Sequence, residues 1–150
     1  MENDKTIAEL NDLLQITNDR LQGFQEVEKK VMESHPHLKG EYEHMVRQST
    51  KMRTDLSALI RKKGGKPEDS PTVAGGLHRT WIDLKNSLTG DRDEATLENV
   101  IFGEKAAVEA FENALESGNL CPESTALVRD QLQNLRASYA KFENLEDRTD

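Results

Sequence analysis

The stretch LENVIFGEKAAVEAFENAL, residues 97–115, decides the fold, because its apolar residues recur at the spacing of one face of an α-helix. The residues on that face are Leu97, Ile101, Val108, Phe111 and Leu115. Glu104 falls on the same seven-residue pattern, at a position where a helix normally buries an apolar side chain. A buried carboxylate is costly unless it is paired. The sequence therefore predicts a buried partner for Glu104.

The same apolar pattern recurs in three further long segments that proline and glycine separate. Because proline favours the first turn of a helix and glycine the position just past its end, we predict long helices over residues 6–33, 38–63, 91–118 and 122–142. A charged tail follows the last one, and a shorter helix is predicted over residues 72–89. The residues predicted to face the core are Ile7, Leu10, Leu14, Leu21, Phe24, Val31, Tyr42, Met45, Met52, Leu56, Leu59, Leu77, Trp81, Leu84, Leu88, Val128, Leu132, Leu135, Tyr139 and Phe142.

The composition favours helices over strands. Charged residues make up 32% of the chain and aromatic residues only 5%. A length of 150 residues suits one domain. We therefore predict an all-α class and a single four-helix-bundle domain over residues 1–150, with a core of about residues 6–146. The short helix lies within the connection between the second and third long helices, which is long enough for those two helices to run parallel.

The charge and the apolar pattern of the chain lead us to expect neither a nucleic-acid-binding nor a membrane protein. The net charge of -8 repels the phosphates of nucleic acids and anionic membrane surfaces, so we expect neither as a partner. The N-terminus has no apolar signal core, and no apolar run is long enough to span a membrane. The one cysteine, Cys121, fits a reducing compartment and is predicted to be a helix-entry residue. We expect a cytoplasmic protein, with a homo-oligomer or a protein partner left open.

The middle of the chain carries a distinctive set of motifs: Gly64-Gly65-Lys66-Pro67-Glu68-Asp69, Ala74-Gly75-Gly76-Leu77-His78-Arg79, Trp81, Leu84-Lys85 and Leu88-Thr89-Gly90. This set resembles a bacterial family of ferritin-like four-helix-bundle proteins that is classed as a domain of unknown function. The resemblance covers about Ile7 to Leu145. It implies a ferritin-like bundle with one long crossover and kinship with di-iron carboxylate proteins. It implies no activity, because the family has none assigned.

The residues at the same height along the bundle as Glu104 show whether the chain keeps the ligands of a di-iron site. Such sites take a Glu from each of two helices and a Glu-x-x-His pair from each of the other two. Matching the helices from their turns places Leu21, Lys51, Glu104 and Arg136 in one layer. Of these, only Glu104 is a ligand, and one carboxylate cannot hold two irons.

The positions where Glu-x-x-His pairs would stand in this layer support a metal-free interpretation. They read Gln48-Ser49-Thr50-Lys51 on the second helix and Arg136-Ala137-Ser138-Tyr139 on the last, so neither supplies Glu-x-x-His. We predict a degenerate site without metal, in which Lys51 or Arg136 supplies the positive charge and the Tyr139 hydroxyl donates a hydrogen bond. The predicted core polar cluster is Glu104, Lys51, Gln48, Arg136 and Tyr139.

A rival metal constellation lies closer to the first turn. Glu41-Tyr42-Glu43-His44 contains Glu-x-x-His, and Glu28 lies at the level of His44. This group lies about six residues, or ~9 Å, along the axis from Glu104, which is too far for one dinuclear site. Solvated charges are therefore the favoured interpretation. If a metal is bound, the candidate ligands are Glu104, Glu28, Glu41 and His44, and iron is the cofactor.

Two functions follow from the residues. The first is a non-enzymatic bundle without cofactor or catalytic residues, whose core polar cluster fixes the helix register and which acts as an interaction or stress-associated protein. The alternative is an iron-binding oxidoreductase of the di-iron type or a metal-storage protein. Bound iron distinguishes the two functions.

Overall fold

The computed structural model describes the backbone of residues 2–34, 39–68 and 93–149, and the side chains of residues 4–25, 40–68, 100–101 and 103–144. Four helices lie in these ranges: α1 (Glu2–Ser34), α2 (Lys39–Lys62), α3 (Asp93–Glu116) and α4 (Pro122–Thr149). These ranges contain no strand, so the predicted all-α class is confirmed for the described part of the chain. No helix within it is long and apolar enough to cross a membrane.

The long helices begin and end close to their predicted limits, with one clear difference. Helix α4 continues past Phe142 to Thr149, so the charged tail is helical. The tail contains neither proline nor glycine to stop the helix. The predicted short helix over residues 72–89, with Trp81, and the predicted turn around Pro36 lie outside the described residues.

The helices pack as two hairpins, α1 with α2 and α3 with α4. The Thr6 hydroxyl, near the start of α1, donates to the carbonyl of Asn119, just beyond α3, over 2.7 Å. Further along α1, Arg20 contacts Glu104 in the middle of α3, so α1 runs antiparallel to α3. Since α1 is also antiparallel to its hairpin partner, α2 and α3 run in the same direction. The connection between α2 and α3 therefore joins opposite ends of the bundle.

Apolar side chains from all four helices fill the space between the hairpins. Their burial follows the helical period of the sequence, since most of the predicted core positions that the structure describes are buried. The buried apolar cluster consists of Leu10, Leu13, Leu14, Met52, Leu56, Leu59, Ile60, Ala107, Val108, Phe111, Ala114, Val128, Leu132 and Leu135.

An aromatic cluster lies beside this core, toward the C-terminal end of α1 and the N-terminal end of α2. Phe24 stacks on Phe142 with ring centroids 5.8 Å apart, and Tyr42 lies 6.1 Å from Phe24 and 5.6 Å from Phe142. All three residues are almost completely buried. Aromatic rings in such contacts add stabilisation beyond their buried area, so this cluster joins α1, α2 and α4 firmly.

The end of α2 needs both of its glycines. Gly64 has a φ of +90°, and the Gly65 amide donates to the Ile60 carbonyl over 2.9 Å, which closes the last turn of the helix. A Cβ atom on Gly65 would lie 2.7 Å from Cγ2 of Ile7. The first glycine therefore provides the backbone conformation, and the second allows the chain to pass close to α1.

The start of the long connection is fixed to α1 by asparagine side chains. Asn11 accepts from the Glu68 amide over 2.9 Å and donates to the Lys66 carbonyl over 3.1 Å. Asn18 donates to the Glu68 carbonyl over 3.4 Å. Residues 66–68 therefore lie along α1, held by their backbone groups.

Candidate functional site

Glu104 is paired with Arg20 at the centre of the bundle. The carboxylate of Glu104 is 0% exposed and the side chain of Arg20 is 1% exposed. Nε of Arg20 donates to Oε1 over 2.6 Å, and Nη2 donates to Oε2 over 2.9 Å. This two-bond geometry is the strongest arrangement for a guanidinium and a carboxylate. The buried partner that the sequence required of Glu104 is therefore Arg20.

The other donors of the Arg20 guanidinium are satisfied by α2. Nη1 donates to the Ser49 hydroxyl and Nη2 to the side-chain oxygen of Gln48, both over 2.8 Å. Two thioether sulfurs complete the shell, Met52 at 3.7 Å from Nη1 and Met45 at 3.6 Å from Nη2. A guanidinium carries five N–H groups, and each has an acceptor here. The cost of burying the charge is therefore offset at every donor.

An aromatic ring borders the guanidinium on α1 itself. Cζ of Arg20 lies 5.0 Å from the centroid of the Phe24 ring, within the range of a cation–π contact. Phe24 stacks in turn on Phe142. The aromatic cluster and the ion pair therefore form one continuous structure.

Helix α4 completes the polar centre. The Ser138 hydroxyl lies 3.0 Å from the Asn134 carbonyl and 3.3 Å from the side-chain oxygen of Gln48, and it can donate to either. One heptad earlier, the buried amide of Gln131 donates to the Met52 carbonyl over 3.3 Å. We name the polar centre as the group of residues contributed by all four helices, namely Arg20, Gln48, Ser49, Glu104 and Ser138.

Two residues predicted beside Glu104 lie elsewhere, which corrects the predicted cluster. The side chain of Lys51 is 78% exposed and donates to Asp55 over 2.8 Å. Arg136 is 55% exposed and lies 3.3 Å from Glu112. Both are one to three residues from positions that face the centre, and each residue turns a helix by about 100°. Their charges therefore stay hydrated at the surface.

The remaining predicted members are placed as follows. Gln48 belongs to the polar centre through its contact with Arg20. Tyr139 is half-buried and packs against the apolar core. Leu21, predicted for the same layer, is 5% exposed and lies in the core one residue after Arg20. The predicted level is therefore close, but the residue of α1 at that level is Arg20.

A second apolar line in α1 could have revealed Arg20. Leu10, Leu13, Thr17, Arg20 and Phe24 follow one another at steps of three and four residues, the spacing of a buried seam. The predicted line shares Leu10 and Phe24 with this one but passes through Leu14 and Leu21 between them, and the structure buries all four residues. Arg20 thus interrupts one buried line of α1 as Glu104 interrupts that of α3.

The candidate metal ligands do not come together in the described residues. Both carboxylate oxygens of Glu104 bind Arg20. Glu41 pairs with Lys141, and His44 is exposed. The side chain of Glu28 lies outside the described residues. Within the described part of the chain, no three His, Cys, Asp or Glu residues form a group that could hold a metal ion.

The sequence also matches a family. Residues 5–117 fit the family described as "Domain of unknown function (DUF2383)". The chain belongs to this family. The DUF2383 match includes Arg20, Gln48, Ser49 and Glu104 and ends before α4. Neither the curated proteins nor the solved structures give a significant match to the chain.

Outside the DUF2383 match, Cys121 stands immediately before α4, as predicted. Its sulfur lies 3.1 Å from the Ser124 hydroxyl, and its carbonyl accepts from the Thr125 amide over 2.8 Å. Burial raises the pKa of the thiol. Hydrogen bonds from Ser124 and Lys63 outweigh that effect, so the pKa of Cys121 is lowered from its ordinary value.

We expect this lowered pKa to be visible in alkylation. Iodoacetamide reacts with the thiolate. As the pH is raised, the rate of alkylation of Cys121 should therefore begin to increase at a lower pH than the rate for an ordinary thiol. Lys63→Met removes a donor to the thiolate and should move the pH profile to higher pH, measured by mass spectrometry on protein shown to be folded. Lys66→Met, at an exposed lysine three residues further along the chain, is the control and should leave the profile in place. Identical profiles for Lys63→Met and the unchanged protein would contradict the assignment.

Proposed function

We propose that this chain is a non-enzymatic, ferritin-like bundle in which the Arg20 guanidinium has replaced the metal ions of a di-iron centre. The observation that carries the proposal is the closed, two-bond ion pair of Arg20 with Glu104 in the middle of the bundle. In this interpretation the chain carries its own cation. The polar centre then serves to hold the two hairpins in one register.

The helix directions support the ferritin-like part of the proposal. Ferritin-like bundles have two antiparallel hairpins and one long connection. Here each hairpin is antiparallel. Helix α1 is also antiparallel to α3, because Thr6 near its start contacts the residue just beyond α3 and Arg20 contacts the middle of α3. Helices α2 and α3 therefore run in the same direction. A long connection that joins opposite ends of the bundle is what this topology requires.

The donor set of the polar centre does not fit a di-iron site. Two irons need several carboxylates and imidazoles from all four helices. The side chains that accept from Arg20 offer one carboxylate, and the others are an amide, a hydroxyl and two thioethers. We therefore derive no reaction step through iron.

A register role suits the chemistry of the polar centre. An ion pair buried at one level is satisfied only when the two hairpins meet with Arg20 and Glu104 aligned, because any shift strands both charges. In this role the polar centre fixes how the helices pack, and binding to other molecules takes place at the surface of the bundle. We accordingly propose a cytoplasmic interaction or stress-associated protein that acts through a protein partner or a second copy.

Metal analysis tests this proposal against iron binding. Protein purified after growth with iron, and protein reconstituted anaerobically with Fe²⁺, should hold far less than one iron per chain. Glu104→Gln should leave the iron content unchanged, and Glu112→Gln, at a partly exposed carboxylate, is the matched control. Near-stoichiometric iron that Glu104→Gln removes and Glu112→Gln keeps would overturn the proposal in favour of the iron-binding alternative.

A further inference from the structure

We infer that the polar centre is a preformed binding site for a planar guanidinium cation, of which the Arg20 side chain is the tethered occupant. When that side chain is cut back, the site should bind a free guanidinium-type cation from solution. This inference deepens the proposed function and rests on it, because it specifies which cation the centre recognises.

The acceptors around Arg20 match a guanidinium in number and in charge. Glu104 supplies one negative charge and two oxygens along one edge of the group. Gln48 and Ser49 supply neutral oxygens to two of the remaining three N–H groups, both at 2.8 Å, and the Met52 sulfur lies 3.7 Å from Nη1 for the third. All of these acceptors converge on one cation, and the carboxylate balances its charge. A two-bond edge is specific for planar donors.

The acceptors lie on packed helices, and Gln48 also has a contact that does not involve Arg20. The side-chain oxygen of Gln48 lies 3.3 Å from the Ser138 hydroxyl, and that hydroxyl lies 3.0 Å from the Asn134 carbonyl. Glu104 and Ser49 are both 0% exposed, on helices packed into the bundle. We therefore expect these oxygen atoms to keep their positions when the guanidinium is removed, which is the condition for a preorganised site.

An aromatic wall adds selectivity for a flat cation. The Phe24 ring faces Cζ of Arg20 at 5.0 Å, and a guanidinium can lie over such a ring. Phe142 stacks on this ring, and Tyr42 contacts it. A tetrahedral ammonium has three donors and no flat face. We therefore expect Arg20→Lys to satisfy the site poorly.

Chemical rescue of Arg20→Ala tests the inference. The variant should unfold at lower temperature than the unchanged protein, and methylguanidinium at millimolar concentration should raise its midpoint in a saturable way, by about 2–4 °C or more. The unchanged protein should show no such rise because Arg20 fills the site. Methylurea, which is planar but uncharged, and methylammonium, which is charged but not planar, should have no effect on Arg20→Ala.

Matched variants keep the test specific. Arg20→Ala combined with Glu104→Ala should lose the rescue, and Arg53→Ala, at an exposed arginine, should show none. If Arg20→Ala is unfolded on its own, folding is followed by circular dichroism as methylguanidinium is added. Absence of a saturable gain in both assays, or an equal gain in the double variant or in Arg53→Ala, would overturn the inference. Stoichiometric iron in the unchanged protein would instead overturn the proposed function, so the two failures are distinguishable.

Discussion

Glu104→Ala alone is expected to destabilise the protein by about 3–5 kcal/mol, the usual cost of removing one member of a buried ion pair. The cost arises at Arg20, which is 1% exposed and would lose two hydrogen bonds without gaining water. Glu104→Gln keeps an acceptor but removes the charge, so it should also be damaging. Urea unfolding followed by circular dichroism measures both free energies.

Replacing both charges together should restore the stability. Arg20→Met with Glu104→Leu fills the same space with apolar groups, and such exchanges are often neutral or stabilising by about 1–4 kcal/mol. The surface pair Arg136 and Glu112, which is about half exposed, is the control, and its coupling in a double-mutant cycle should stay below about 1 kcal/mol. A Glu104→Gln variant as stable as the unchanged protein would contradict the buried pair.

Phe24→Ala should cost about 3–5 kcal/mol, since a fully buried ring leaves a cavity when it is removed. Phe24 is 0% exposed and contacts both Phe142 and Tyr42, so the cavity lies within the aromatic cluster. The change also removes the ring that faces Arg20. Phe24→Leu retains much of the volume and should cost less. Thermal and urea unfolding check the order of the two variants.

A double-mutant cycle between Phe24 and Arg20 distinguishes two contributions of the ring to stability, namely its packing and its contact with the guanidinium. Phe24→Ala and Arg20→Met should be non-additive by about 0.5–3 kcal/mol, because the residues touch. Phe111→Ala removes a ring of equal size that is also almost completely buried. It lies seven residues, or ~10 Å along α3, from Glu104 and should combine additively with Arg20→Met. Additivity at Phe24 would show that the ring only fills space.

Much of the fold could be predicted because helical periodicity is local. Leu10, Leu56, Phe111 and Leu132 were assigned to the core from their spacing alone, and the structure buries all four. The same spacing identified Glu104 as a core position, and it is 0% exposed. Gly64 was predicted to end α2, and its φ of +90° explains why a glycine is needed there.

The partner of Glu104 could not be predicted in the same way. Level matching reached the correct part of each helix, since Gln48, Ser49 and Ser138 lie within three residues of the predicted layer. It did not determine how each helix is rotated about its own axis. Neighbouring residues of a helix point about 100° apart, so an error of one position is enough to move a charge from the core to the surface.

The sequence by itself determined four amphipathic helices and one buried carboxylate, because both follow from the spacing of apolar residues within a single segment. The tertiary structure decided that Arg20 pairs with Glu104 and that Lys51 and Arg136 remain at the surface. That choice depends on the rotation and level of four helices at once. Only packing sets these quantities, since a buried guanidinium is stable only where every donor finds an acceptor.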